Sequence, residues 1–219
     1  MAIAFDSFSS SQITGTSHTS NTFSHTVTGS DTILFVIIGT YNSTGGGKIS
    51  GVTYNGTSMT RYGGEQPQQT NQQVSVYYLL NPSTGANNIV ASFASQTYSW
   101  ISAASYTGVS QTGFPDNQVD DTGLGTSISS TLTPVASDTW LVMLVMSNRA
   151  KSAGTGATLR GVSSSGQGTA IADSNGTVSG ATTIALTQSP SDSWSYRTFS
   201  LAPAGGTPTP DFTPKIMMF

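Results

Sequence analysis

Apolar residues in this chain gather in short dense blocks, set between long Ser-, Thr- and Gly-rich stretches. Two blocks are wholly apolar, Ile33-Leu34-Phe35-Val36-Ile37-Ile38 and Trp140-Leu141-Val142-Met143-Leu144-Val145. Runs this short predict strands buried on both faces. Residues 73–80 and 88–93 are rich in β-branched and aromatic residues and read as two more strands. The Asn81-Pro82-Ser83-Thr84-Gly85 segment between them is turn chemistry, with Pro pre-setting φ and Gly permitting positive φ. Asn55-Gly56, flanked by alternating residues, predicts a tight hairpin. No stretch carries apolar residues at helical spacing over three turns. Short strands broken by Gly, Asn and Pro predict an all-β sandwich or barrel.

The same pattern occurs twice. Residues 22–36 and 127–142 each read as a polar alternating strand, a turn ending in Asp-Thr (Asp31-Thr32 and Asp138-Thr139) and an apolar strand. Gly51-Val52 pairs in pattern with Gly161-Val162, and the segment around Trp100 pairs with the segment around Trp194. Trp100 and Trp194 are therefore expected as core anchors at equivalent points of the two halves. The expected architecture is all-β, a two-sheet jelly-roll-like β-sandwich spanning residues 1–202. It is built from two repeated halves, about residues 1–108 and 109–202. No tether separates the halves, which favours one sandwich over two in tandem. Residues 203–219 differ in kind: a Pro-rich linker leads to an apolar end. They read as an extended arm whose Phe212, Ile216, Met217, Met218 and Phe219 dock on a neighbouring subunit.

Composition narrows the chemistry. With no Cys, disulfide scaffolds, thiolate metal sites and thiol catalysis are excluded. Seven Lys plus Arg and a net charge of −3 leave no electrostatic footprint for nucleic acid. No run approaches the roughly 20 apolar residues of a membrane-spanning helix. Met1-Ala2-Ile3-Ala4-Phe5-Asp6 has no basic or hydrophobic leader region, so synthesis in the cytoplasm without a signal peptide is expected.

Catalytic signals are thin. His18 and His25 would face opposite sides of one strand and read as surface residues. Glu65 stands alone as the one Glu, and Lys48 after Gly45-Gly46-Gly47 lacks the Ser or Thr and the helix of a phosphate loop. No catalytic residue and no cofactor is assigned. Asp116, Asp120 and Asp121 offer hard oxygen ligands for calcium, or else a solvated turn. Tyr54 and Tyr62 are the candidate platforms for stacking a sugar ring.

The run from Gly51 to Thr60, followed by Val76-Tyr77-Tyr78-Leu79-Leu80-Asn81-Pro82-Ser83-Thr84-Gly85, resembles a group of Ser/Thr/Gly-rich proteins of tailed phages and environmental bacterial genomes. The resemblance covers about residues 3–202. It implies a jelly-roll, concanavalin-like sandwich at a virion surface and carries no catalytic site. The expected function is that of a non-enzymatic virion structural protein, a capsid decoration or related surface protein. Its partners would be further copies of itself or other virion proteins. A carbohydrate-binding adhesion module that takes glycans and a self-assembling extracellular filament subunit are the alternatives.

Overall fold

The computed structural model describes residues 1–41, 49–69, 72–164, 166 and 168–205. The arm residues Phe212, Ile216, Met217, Met218 and Phe219 lie outside these. The chain is all-β, and the described residues contain no helix. Among the described residues, two antiparallel sheets hold thirteen strands. The first is built from β1 (Ala4–Val27), β2 (Ile33–Tyr41), β3 (Ile49–Tyr54), β4 (Thr57–Ser58), β5 (Thr60–Gln69), β6 (Gln72–Leu80) and β7 (Gly85–Thr107). The second is built from β8 (Asn117–Leu132), β9 (Trp140–Ser147), β10 (Ala150–Ala153), β11 (Thr158–Val162), β12 (Gly168–Asp173) and β13 (Thr182–Leu201). The halves do not exchange strands.

The first sheet runs β4-β3-β7-β2-β6-β5 with β1 on β7; the second runs β10-β13-β9-β12-β11 with β8 on β13. Apart from β4 the two orders coincide. This order corrects one expected match. Gly51-Val52 lies in β3, against the long strand β7, whereas Gly161-Val162 lies in β11, against β12. By position, β3 corresponds to β10 and β11 to β5.

The two apolar runs are buried on both faces, as their composition requires. In β2, Ile33, Phe35 and Ile37 face the core between the sheets, and Leu34, Val36 and Ile38 face a second core within the first half. In β9, Trp140, Val142, Leu144 and Met146 face the same inter-sheet core, and Leu141, Met143 and Val145 face a third core within the second half. The second and third cores exist because the long ribbons bend over their own sheets. The β1–β7 ladder runs from Ala4 opposite Thr107 to Val27 opposite Gly85. Ser7 and His25 are 18 positions apart on β1, yet Ser7 Oγ lies 3.1 Å from His25 Nε2. A straight strand would hold them about 60 Å apart, so the ribbon folds back on itself. Register shifts near Ile13, His18 and Ser20 mark the bend.

Trp100 and Trp194 are not equivalent. Trp100 stands opposite Gly39 and Trp194 opposite Ser147. With Thr32 matched to Thr139, Gly39 corresponds to Met146, so the two indoles are offset by one residue. One residue reverses the face. Trp100 enters the inter-sheet core, while Trp194 stacks on Tyr196 at 5.6 Å and packs against the third core.

Candidate functional site

Aspartates anchor both ribbons. In the first half, the Asp6 carboxylate accepts the Thr28 amide at 2.9 Å, the Ser105 hydroxyl at 2.7 Å and the Thr28 hydroxyl. In the second, Asp116 accepts the Val135 and Ala136 amides, each at 2.9 Å, and the Ser200 hydroxyl at 2.8 Å. The ladders make these sites equivalent: Ser7 pairs with Ser105, and Asn117, the residue after Asp116, pairs with Ser200. Each carboxylate ties the turn after the first strand of its ribbon to the last strand. Charge-assisted bonds to amides are the strong class of hydrogen bond.

This role explains the acidic loop otherwise than by calcium. Asp120 and Asp121 are consecutive in β8, opposite Arg197 and Tyr196, and so point to opposite faces. Asp121 accepts the Thr122 amide at 2.8 Å. Among the described residues no three His, Cys, Asp or Glu side chains gather to hold a metal ion.

The two histidines are not surface residues facing apart. The register shifts around His18 reset its parity. His18 Nε2 lies 2.9 Å from Ser99 Oγ, which also accepts the Asn21 amide at 3.0 Å. His25 lies on the same inward side and is 2% exposed. Its Nδ1 is 2.8 Å from Ser9 Oγ, and its Nε2 is 3.1 Å from both Ser7 Oγ and Ser105 Oγ. Burial pushes the imidazole down to about 4, with the Asp6 carboxylate opposing. Asp6, Ser105 and His25 thus form a chain, but the carboxylate contacts the serine and not the imidazole. No carboxylate stands behind the imidazole and Ser105 is fully buried, so the arrangement lacks the order of a Ser-His-Asp triad.

The structure places Tyr54 in the interior and Tyr62 at a partly buried position. Tyr54 is fully buried, and its hydroxyl donates to the carbonyls of His25 at 3.2 Å and Gly85 at 3.1 Å. Tyr62 is wedged between the halves. Its ring meets Phe199 edge-on at 4.8 Å, its carbonyl accepts Arg197, and the Arg197 guanidinium lies 5.6 Å from the ring centre. Arg197 also donates to the Gly64 carbonyl at 2.8 Å.

A second junction between the halves is an ion pair that composition alone does not reveal. Arg160 donates to both oxygens of Asp173, at 2.6 and 2.8 Å, and its guanidinium covers Phe5 at 4.3 Å. Tyr106, from the first half, donates to Asp173 Oδ2 at 2.9 Å. Its phenol is pushed well up, by burial first and then by the Asp173 charge.

The open surface is shallow. A groove of about 480 Å³ lies where Met1 and Ala2 meet Pro203, Ala204 and Gly205, and the terminal ammonium donates to the Ala204 carbonyl at 2.6 Å. Residues 202–204 are held on the connection between the halves: Ser110 donates to Ala202, Ala204 donates to Gly108, and Val109 bridges Pro203. A second groove of about 420 Å³ beside the Asn55-Gly56 turn is lined by Thr53, Asn55, Asn87 and Asn88. Among the described residues, β1 has β7 as its one ladder partner and β8 has β13, so each ribbon ends in an edge strand. Comparison with protein-family models, with curated proteins and with solved structures finds no match to this chain.

Proposed function

We propose that this chain is a non-enzymatic structural protein, a two-sheet jelly-roll-like sandwich whose two halves arose by duplication. It assembles through the two long edge strands and the C-terminal segment, and the resemblance given above suggests a virion surface as the setting. The carrying observation is the pair of edge strands, 24 residues in β1 and 16 in β8. A strand with one partner presents a row of amides and carbonyls that another chain can pair with. The polar clusters described above support this reading, because each is engaged in holding strands and sheets together. Equivalence of the Asp6 and Asp116 anchors, together with the matching strand order, supports duplication.

Gly205, the last described residue, lines the Met1 groove, and residues 202–204 before it are fixed to the connection between the halves. The Pro-rich start and apolar end of the segment beyond Gly205 suit an arm that reaches a second copy or another polypeptide. For the sugar reading, the amide-lined groove at Asn55 and Asn87 has no aromatic ring among its lining residues.

Deletion of residues 206–219 tests the proposal by light scattering and electron microscopy. The full chain is expected to form oligomers or to decorate particles, and the truncated chain to remain a folded monomer. Unchanged assembly after the deletion removes the arm from the mechanism. A specific hit for the full chain on a glycan array transfers the function to the lectin class.

A further inference from the structure

The two halves share a skeleton but differ in what they bury beneath the folded ribbon. Counting from the matched Asp31 and Asp138, His25 corresponds to Leu132 and Asn21 to Ile128; counting along the ribbons, Ser9 corresponds to Val119. Leu132 and Ile128 are members of the third core, and Val119 packs against it. At these three points the second half closes its ribbon on aliphatic contacts, with the buried Ser130 between Ile128 and Leu132. At the same points the first half has an imidazole held between three hydroxyls, continued by Asn21 and His18 on Ser99, with Phe23 and Val27 packed on its second core on either side of His25.

The groups facing His25 are few. From β1 come Ser7, Ser9 and the Asp6 carboxylate. Ser105 comes from β7, and Tyr54 of β3 sits edge-on at 6.4 Å. No ion pair reaches the ring: Asp6 is joined to it only through Ser105. A second proton would turn both ring nitrogens into donors. It would also place a charge among hydroxyls and aliphatic side chains, which burial opposes.

We propose that the first half carries an acid-sensitive latch: protonation of His25 releases the hydroxyl cage and opens the folded β1–β7 ribbon, while the β8–β13 ribbon stays closed. The imidazole is neutral in the closed ribbon and takes its proton when the ribbon opens. With the closed-state value near 4 and the exposed value at 6.5, the opening constant rises about a hundredfold between pH 7 and pH 4. The second half has no His and places Leu132 at the corresponding point, so its ribbon lacks this latch. This inference does not depend on the proposed assembly.

Hydrogen exchange on the full chain, read as protection factors between pH 7 and pH 4, tests it in the wild type, His25→Gln and His25→Leu. In the wild type, amides of β1 and β7 are expected to lose protection as the pH falls while those of β8 and β13 keep theirs. In both variants the pH dependence of β1 and β7 is expected to flatten, whatever their absolute stability. Equal loss in both ribbons, or the same slope in the variants, overturns the proposal. If the variants do not fold, an NMR titration of His25 in the wild type decides. A ring that stays neutral down to about pH 4 supports the latch, and one that titrates near the ordinary histidine value of about 6.5 removes it.

Discussion

Replacing Arg160 by Ala removes the cation from a deeply buried ion pair. The Asp173 side chain is 0% exposed and that of Arg160 is 15% exposed. After the change, Asp173 keeps the Tyr106 hydroxyl at 2.9 Å and the Asn175 amide at 2.9 Å, but no positive charge. Removing one member of a buried pair costs about 3–5 kcal/mol, because the remaining charge stays desolvated. Loss of the guanidinium over Phe5 adds about 0.5–1 kcal/mol. Tyr106→Phe removes one bond to a charged acceptor and leaves the pair intact, so a smaller cost of about 1.5–3 kcal/mol is expected.

Urea unfolding followed by tryptophan fluorescence measures both. Trp100 and Trp140 lie in the inter-sheet core, and Trp140 meets Tyr106 at 6.5 Å, so their emission reports on this junction. The decisive variant is the double replacement Arg160→Met with Asp173→Leu. Buried pairs exchanged for apolar residues are often neutral or stabilising, so the double variant should recover most of the loss from Arg160→Ala. A loss below about 1 kcal/mol for Arg160→Ala, the range of exposed pairs, would refute the reasoning. So would a double variant as unstable as the single one.

Two other changes follow from the same geometry. Asp116→Ala leaves the Val135 and Ala136 amides without their acceptor, while the Ser200 hydroxyl keeps the Asn117 carbonyl at 3.3 Å, and is expected to cost about 2–4 kcal/mol; thermal unfolding measures it, and added calcium should not change the melting temperature of the wild type. Burial pushes Lys151 down to about 7 from 10.5, so between those values the unfolded chain binds the proton that the folded chain lacks. Stability therefore rises with pH across that window. Lys151→Met should be more stable than the wild type at pH 7, by an amount on the order of a few kcal/mol, and should lose the rise between pH 7 and pH 9. An identical slope in urea titrations of both proteins would count against a buried lysine.

Backbone features were the most legible part of this sequence. Asn55-Gly56 forms the hairpin between β3 and β4, with φ of +48° and +76°, the left-handed pair that a two-residue turn of this kind requires. Asp31 and Asp138 both adopt positive φ, at +51° and +55°, so the repeated Asp-Thr turn is the same turn twice. The doubly buried strands β2 and β9 were legible because unbroken apolar runs have no face to give to water. Side-chain direction was harder to read. Trp100 and Trp194 sit in similar local sequences, yet a single-residue offset sends them to different cores. The histidines escaped because a strand of Ser, Thr and Asn looks solvent-facing until the ribbon is seen to fold over it, and because the shifts at Ile13 and His18 break the period of two.

Asp6 and Asp116 show what the shared fold requires, and the residues between them show what it tolerates. Both carboxylates tie the turn that follows the first ribbon strand to the last strand, and both do so through backbone amides and one serine, Ser105 or Ser200. Backbone amides are the same in any sequence, so this anchor can persist while side chains around it change. Beneath the anchors the interiors diverge: Leu132, Ile128 and Val119 in one half, His25, Asn21 and Ser9 in the other. Aliphatic packing is non-directional and tolerates small shifts. A histidine that must meet three hydroxyls holds one register of the folded ribbon and penalises its neighbours, since a slipped strand leaves buried polar groups unpaired. The first half is thus the more specified and the more conditional of the two, with a closure that depends on a neutral imidazole, and the second half is the unconditional one.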